Sequence, residues 1–354
     1  MRPLYQSLLT ALAVCCAVAL FFTWRWSMAA GVFNTLPQVS PGACRVIANL
    51  QGPEDFEIDA AHNLLFVSSS NRRHPGPGDG IYAVRLDEAN GSPLRLAGTP
   101  ADFHPHGISL YHAPGGGDAL TVVDHKASGF QTVEIFTISY DGATPRLTPQ
   151  SAIGGGLLVS PNDVFAVAPD HFYVTNDHVT KSAFGRFAED YLLWAHSDLV
   201  YFNGSYLKIA VQRIAFPNGV LVSPDGRHLY VTATNERRLI AFSREDFTGN
   251  LEEIGSLSLP ARLDNITMDA AGDLIIAGHP SLLKVNAFRA DARLPSPSAV
   301  FRVHLDAKGA PQSYDTIYAN DGHEIGASSS AAVWNGHLII GSVLDDKVLE
   351  CPMK

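Results

Sequence analysis

The stretch that decides the fold is Gly219–Arg244, which reads GVLVSPDGRHLYVTATNERRLIAFSR. Two short apolar runs flank Pro224, Asp225 and Gly226, a residue set that favours a tight turn. A third apolar run follows after a polar loop. The pattern predicts three consecutive antiparallel strands.

The same pattern recurs along the chain. Five further copies begin near Glu57, Ile108, Ala166, Thr267 and Ala332. Successive copies are about 55 residues apart, close to the period of propeller blades with inserted loops. We therefore expect an all-β fold, a six-bladed β-propeller, with one or two accessory helices on its rim.

The composition fits a folded chain with a large core. Of 354 residues, 46% are hydrophobic and 17% charged, which excludes disorder for the bulk of the chain. Gly 30 and Pro 22 are spread along it as turn residues. The net charge of -10 repels phosphate backbones, so we expect no nucleic-acid partner.

The N-terminal segment has the features of an export signal. Residues 7–24 are apolar and uncharged, nearly long enough to cross a bilayer. Small residues at 27–30 favour cleavage of a signal peptide, whereas Trp24 and Trp26 resemble an interfacial belt and favour retention. We expect a signal peptide or signal anchor plus linker over 1–40, and an extracellular or lumenal propeller over 41–354.

The cysteines fall into two pairs. Cys15 and Cys16 lie in the apolar segment, and Cys44 and Cys351 lie at the two ends of the remaining chain. In an exported chain the second pair is most simply a disulfide, which would join the last blade to the first. The alternative is two free buried thiols.

One stretch breaks the strand pattern. Residues 181–197, KSAFGRFAEDYLLWAHS, place aromatic and apolar side chains at roughly helical spacing. We expect an amphipathic helix over this range. Its apolar face either covers the propeller rim or contacts a membrane or an apolar substrate.

Oxygen-bearing side chains stand at the entry to five of the six repeats. They are Glu54-Asp55, His104-Pro105-His106, Asn162-Asp163, Pro217-Asn218 and Asp264-Asn265. The innermost strand of each blade lines the channel, so these positions converge on the propeller axis. Carboxylate and amide oxygens are ligands that calcium prefers. The alternative for each is an Asx-turn.

This set predicts a central calcium-binding channel. Two carboxylates and three amides would balance one Ca²⁺, and a second pair of carboxylates could serve a second ion. The first set is Glu54, Asn162, Asn218, Asp264 and Asn265, and the second pair is Asp55 and Asp163.

Two histidines of one repeat are candidates for proton transfer. We expect His106 and His125 to lie close together, where a neutral imidazole could take a proton from water. The alternative is a structural role. Asp124-His125 and Asp177-His178 are adjacent strand residues that should face opposite ways, so we expect neither to act as a dyad. No nucleophile elbow, Walker loop or dinucleotide fingerprint is present.

Several stretches of the chain resemble those of a known protein family. The stretches PEDFEI, FHPHGIS, VVDH, PNDVFAVAPDHFYVTNDH, FPNGVLVSPDG, LDNITMD and LIIGSVLDDKVLEC resemble the serum paraoxonase/arylesterase family of calcium-dependent six-bladed propellers. They are spread over nearly everything from Cys44 to the C-terminus.

The resemblance implies hydrolysis of aryl esters and lactones, a retained apolar N-terminus and a disulfide between Cys44 and Cys351. It implies a catalytic Ca²⁺ held by the five oxygen ligands above. It also implies a structural Ca²⁺ held by Asp55, Asp163 and the Ile108 carbonyl. His106 and His125 match the family's proposed proton-transfer dyad, Glu54 or Asp264 could instead activate the nucleophile, and Phe216 matches an apolar wall residue.

The chain also departs from the family. Gly278 stands where members usually carry a free cysteine, and the 68–80 loop and the 181–197 segment differ, which leaves substrate preference and lipoprotein binding open. A sugar-lactone hydrolase of gluconolactonase type and a non-catalytic calcium-stabilised binding propeller remain alternatives. Of three glycosylation sequons, we expect Asn90 and Asn203 to be surface sites and Asn265 to stay bare.

Overall fold

The computed structural model describes residues 2–88, 91–142, 144–246 and 248–353, without the side chains of 2–4. These residues form six four-stranded antiparallel sheets, arranged as a six-bladed β-propeller. The six repeats expected from the sequence correspond to the six blades. The first strands of neighbouring blades contact one another around the ring and line the central channel.

The strands of each blade follow in chain order. The first blade has β2 (Pro53–Asp59), β3 (Leu64–Ser69), β4 (Gly80–Arg85) and β5 (Leu94–Arg95), and the second has β6 (Pro105–Tyr111), β7 (Ala119–His125), β8 (Gln131–Asp141) and β9 (Thr144–Gly154). The third has β10 (Pro161–Ala168), β11 (His171–Asn176), β12 (Ser197–Asn203) and β13 (Leu207–Ile214), and the fourth has β14 (Pro217–Val222), β15 (His228–Ala233), β16 (Arg238–Arg244) and β17 (Leu251–Ser258). The fifth has β18 (Arg262–Met268), β19 (Leu274–His279), β20 (Ser298–Leu305) and β21 (Pro311–Asn320).

The last blade closes the ring with both ends of the chain. It has β22 (Ser328–Trp334), β23 (His337–Ser342) and β24 (Lys347–Pro352), and its outer strand is β1 (Arg45–Ala48). Cys44 and Cys351 form a disulfide across this pair, as expected. The two cysteines do not link two blades, however, because the N-terminal strand itself belongs to the last blade.

The core is divided into clusters between adjacent blades. In one cluster, Phe66 and Ile81 of the first blade pack with Leu120 and Phe136 of the second. Five similar clusters fill the other interfaces. Burial of apolar surface therefore holds each blade against its two neighbours, which fixes the strands around the channel.

Within the described ranges, three α-helices accompany the blades: α1 (Arg2–Ala29), α2 (Ala183–Tyr191) and α3 (Leu282–Ala290). The second is shorter than the 181–197 range expected from the sequence. Ser182 caps it by accepting a hydrogen bond from the Gly185 amide, and Leu193 turns the chain away with φ 54°. Trp194 therefore lies beyond the helix.

The first helix is long and apolar enough over Tyr5–Ala29 to cross a membrane, and its side chains there are not buried against the propeller. Signal sequences and anchors share these properties. Its C-terminal end contacts the second helix, where the Trp26 and Tyr191 rings stack at 6.0 Å and Arg25 donates to the Leu192 carbonyl.

Candidate active site and metal centre

A β-bulge interrupts the first strand of every blade, and in five blades it lies at the positions singled out in the sequence. The register shifts between Pro53 and Asp55 in the first blade, and at the corresponding place in the other five. A bulge re-aims consecutive side chains that would otherwise alternate. The oxygen-bearing residues thus lie inside the first strand of their blades, and His104 lies just before β6.

The structure brings the five predicted ligands of the first calcium site to one end of the channel. All five side chains are buried, and each has one oxygen without a hydrogen-bond partner among the described residues. The atoms are Glu54 Oε2, Asn162 Oδ1, Asn218 Oδ1, Asp264 Oδ1 and Asn265 Oδ1. Because buried polar atoms are nearly always paired, such a set fits an oxygen-seeking cation.

The charge of this set is low. The set has two carboxylates and three amides, and within the described ranges no group of three or more His, Cys, Asp and Glu is arranged to hold a metal ion. Burial raises the pKa of Asp264 despite its hydrogen bond with His279. Burial also acts to raise the pKa of Glu54, but His106 and Arg72 hold it below its ordinary value.

The second predicted pair lies deeper in the channel and is already hydrogen-bonded. Asp55 accepts from the amides of Phe56 and Ile108, and Asp163 accepts from those of Val164 and Val220. Burial raises the pKa of both carboxyls well above the ordinary value, with a further contribution from nearby Glu54. A cation would relieve that cost, although no oxygen here is without a partner.

Four residues of the first set, Glu54, Asn162, Asn218 and Asp264, line a cavity of about 460 Å³. Its walls come from several blades, from α2 and α3, and from the loop between β3 and β4. Phe216 lies on the wall, with φ 58° and its ring edge-on to His178 at 5.1 Å. Arg72, Arg262 and His279 also line the cavity.

The predicted histidine pair is in contact. His106 Nδ1 lies 2.7 Å from His125 Nε2, and His106 Nε2 lies 3.5 Å from Glu54 Oε1. The other nitrogen of His125 contacts Gln131 Oε1. Burial, with the nearby charges of His106 and Arg72, lowers the pKa of His125 to about 3, which keeps this imidazole neutral.

One expectation about acid–base pairs is wrong. Asp124 and His125 do point apart, but His178 lies 2.9 Å from Asp177 and also 2.9 Å from Asp190. The alternation of side chains along a strand does not apply to Asp177 and His178, because β11 ends at Asn176. Burial acts against protonation, yet the two carboxylates raise the pKa of His178 to about 10.

The sequence interpretation missed several residues of the cavity, among them Arg72, Arg262 and His279. Arg72 belongs to the loop between β3 and β4, and Arg262 and His279 face each other across β18 and β19. The proximity of Arg262 to the Leu263-Asp264-Asn265 stretch was a usable signal. Nothing in the sequence pattern placed Arg72 at the channel.

Of the sequons, Asn265 is buried and 2% exposed. Asn203 lies at the turn after β12, where its Oδ1 accepts from the amides of Ser205 and Tyr206. Asn90 lies outside the described residues.

Six-bladed propellers with a polar channel end and a cavity above it form a class that includes both enzymes and binding proteins. The chain belongs to the arylesterase family, whose sequence profile matches residues 35–353.

Curated relatives include human serum paraoxonase/arylesterase 1, which is 31% identical and aligns over 90% of this chain and 92% of its own length. Bovine serum paraoxonase/arylesterase 2 is 32% identical over 88% of each chain. These relatives indicate a hydrolase.

Solved structures share the fold. A luciferin-regenerating enzyme superposes with TM-score 0.57 at 14% identity, covering 87% of this chain and 95% of its own. Regucalcin from Agrobacterium tumefaciens gives 0.55 at 16% identity, covering 90% and 96%. The gluconolactonase XC5397 from Xanthomonas campestris gives 0.52 at 17%, covering 91% and 96%.

Proposed function

We propose that this chain is a calcium-dependent hydrolase of aryl esters and lactones. The observation that carries the proposal is a set of five buried oxygens that find no hydrogen-bond partner in the described part of the chain. Four different blades contribute them to one channel end below an open cavity. Membership of the arylesterase family supports the reaction class.

Glu54, Asn162, Asn218, Asp264 and Asn265 would hold the catalytic Ca²⁺. When bound, the ion supplies a Lewis acid for the ester carbonyl and for the oxyanion that develops from it. Their two carboxylates balance its charge. A second, structural ion would lie with Asp55, Asp163 and the Ile108 carbonyl.

The histidine pair positions a base toward the cavity. Since His125 Nδ1 faces the Gln131 oxygen, it carries the proton of this neutral ring, and His125 Nε2 accepts from His106 Nδ1. That arrangement leaves His106 Nε2 on the cavity side, beside Glu54, as the nitrogen that can exchange a proton with the cavity. In its neutral form His106 can take a proton from water while Phe216 forms part of the substrate wall.

Two carboxylates compete with His106 for this role. Glu54 and Asp264 each keep one oxygen at the channel end. Asp264 is held by His279 Nε2 at 2.7 Å, so that its other oxygen is oriented toward the predicted metal. Substitution of His106 distinguishes these bases.

A second candidate in the same fold is a sugar-lactone hydrolase. It is favoured by the polar walls of the cavity, where Asp177, His178 and Asp190 stand beside Arg72 and Arg262. Preference for polar over apolar lactones would indicate this activity. A chain that hydrolyses neither class would instead be a binding propeller.

We also propose that the cavity face lies near a membrane, with the propeller on the extracellular or lumenal side. Tyr191 lines the cavity and stacks on Trp26 of the first helix, and Phe184 and Phe187 beside it are exposed. Aromatic side chains of this kind suit a membrane interface.

The experiment is hydrolysis of phenyl acetate and of γ- and δ-lactones by purified protein. Activity should disappear with excess chelator and return with calcium. Asp55→Ala and Asp163→Ala should mainly lower folding stability, whereas Asp264→Ala should mainly lower activity and calcium affinity. Absence of hydrolysis of every ester and lactone in millimolar calcium would contradict the enzyme assignment.

A further inference from the structure

The active-site cavity holds more cationic groups than the proposed hydrolysis of neutral esters needs. Arg72, Arg262 and Arg289 line it, in a protein whose overall charge is -10. A guanidinium group stays charged in proteins and carries five donors. Where those donors are buried, they need acceptors.

Arg262 is fixed and incompletely paired. Its side chain belongs to a residue that is 5% exposed, and its Nη1 is buried without an acceptor among the described residues. Its Nη2 donates to Asn235 Oδ1, and Asn235 in turn donates to the Glu189 carbonyl of α2 at 3.1 Å. The guanidinium group is thus held by the neutral Asn235 oxygen, which the Glu189 carbonyl positions in turn, and its Nη1 is left for a ligand.

Arg72 is a second such group. Its Nε and Nη2 have no hydrogen-bond partner in the described parts of the chain, and Glu54 Oε2 lies 3.7 Å from Nη2. The loop that carries it is anchored by Arg73, which donates to the carbonyls of Phe288 and Leu344 at 2.7 and 2.6 Å. The backbone at Arg72 is therefore held in place, so the position of its guanidinium group does not depend only on its flexible side chain.

The charges of the cavity leave an excess of cations once a metal is bound. Glu54 and Asp264 would balance one Ca²⁺, and Asp177 and Asp190 both contact protonated His178. The cluster of Asp177, Asp190 and His178 thus keeps one net negative charge, which faces the three positive charges of the arginines. An anionic ligand restores the balance.

We propose that the cavity takes lactones or esters that carry a carboxylate remote from the scissile carbonyl, with Arg262 Nη1 and Arg72 as its donors. This inference rests on the proposed hydrolase function. Hydrolysis breaks the acyl C–O bond of the ring and forms a C–O bond to water. The product is a hydroxy acid with two carboxylates, and one proton is released.

The test compares two lactones that differ in one group. γ-Carboxy-γ-butyrolactone carries a carboxylate where γ-valerolactone carries a methyl group. We expect the wild-type protein to favour the carboxylated lactone in kcat/KM, because a charge-assisted hydrogen bond is worth about tenfold or more. Arg262→Met should lower this preference by about tenfold, and Arg262→Lys should keep part of it.

Arg293→Met is the matched control, since Arg293 is highly exposed, pairs with Asp291 and does not line the cavity. Thermal unfolding verifies that each variant is folded. If Arg262→Met does not fold, Arg262→Lys and Arg72→Gln are measured in its place. Equal kcat/KM for the two lactones in the wild type, or a preference unchanged by these variants, would overturn the proposal and leave the hydrolase intact.

Binding separates this proposal from the hydrolase. Calorimetry with α-hydroxyglutarate and γ-hydroxyvalerate in calcium should show tighter binding of the dicarboxylate, weakened about tenfold by Arg262→Met. That result without any turnover would overturn the hydrolase and retain the anion site. Equal binding of the two acids would overturn the anion site.

Discussion

The Nδ1 atom of His106 lies 2.7 Å from the Nε2 atom of His125, and the latter ring is fixed from behind by Gln131. This relationship aligns three side chains of the second blade with the cavity. It also fixes which nitrogen of His106 is free to accept a proton.

His106→Gln should therefore keep the fold and calcium binding while lowering turnover of phenyl acetate by about 10² or more. His112→Gln is the control, since His112 lies at the opposite end of the channel. Steady-state kinetics and calcium binding are measured on both. Full turnover in His106→Gln would move the base to Glu54 or Asp264.

The pH dependence of stability should report on His178. Its pKa rises from 6.5 to about 10 in the folded protein, so its protonated form stabilises the fold fully below pH 6.5. The stabilisation is lost as the pH rises through about 10. His178→Gln should destabilise by more than about 1.4 kcal/mol at pH 6, the value of one pKa unit, and by less at alkaline pH.

Urea unfolding near pH 6 and at alkaline pH, in constant calcium, measures this effect. His196→Gln serves as the control because His196 is exposed outside the cavity. A difference between wild type and His178→Gln that does not shrink toward alkaline pH would contradict the assigned pairing with Asp177 and Asp190.

The disulfide closes a loop with a sequence separation of 307. Its removal by Cys44→Ala with Cys351→Ala should cost about 2–4 kcal/mol of unfolding free energy, because the unfolded chain gains freedom. Non-reducing peptide mapping of the exported wild type should recover the two cysteines as one linked pair. Two free thiols in active protein would contradict the closure of the last blade.

Glycan mapping tests the burial of Asn265. In a host that glycosylates exported chains, Asn203 should carry a glycan, because its turn lies at the end of β12. Asn265 should be bare, because its side chain is buried against Glu54. A glycan on Asn265 is incompatible with the channel described above.

The fold was predictable because each blade repeats the same strand and turn chemistry. The convergence of Glu54, Asn162 and Asp264 was predictable for the same reason, since equivalent positions of repeated blades meet at one axis. The bulges were not, because they arise from packing at the channel. Arg72 escaped notice because a loop between strands, rather than a repeated position, brings it to the cavity.

The ends of strands and helices were a second feature that could not be predicted from the sequence. The sequence pattern predicts that Asp177 and His178 are strand residues, but β11 ends at Asn176, so their side chains can pair. The pattern also predicts one helix over 181–197, but Leu193 in a left-handed conformation turns the chain away after α2. Periodicity indicates the kind of element but not its last residue.

The most direct test of the central claim is hydrolysis of phenyl acetate as a function of free calcium, with Asn218→Ala compared to the wild type and to Asn250→Ala at the surface. The wild type should lose activity in excess chelator and recover it with calcium. Asn218→Ala should need at least about tenfold more calcium, because one ligand is missing, and Asn250→Ala should follow the wild-type curve. Undiminished hydrolysis by calcium-free wild-type protein, or the same curve for Asn218→Ala, would contradict the account.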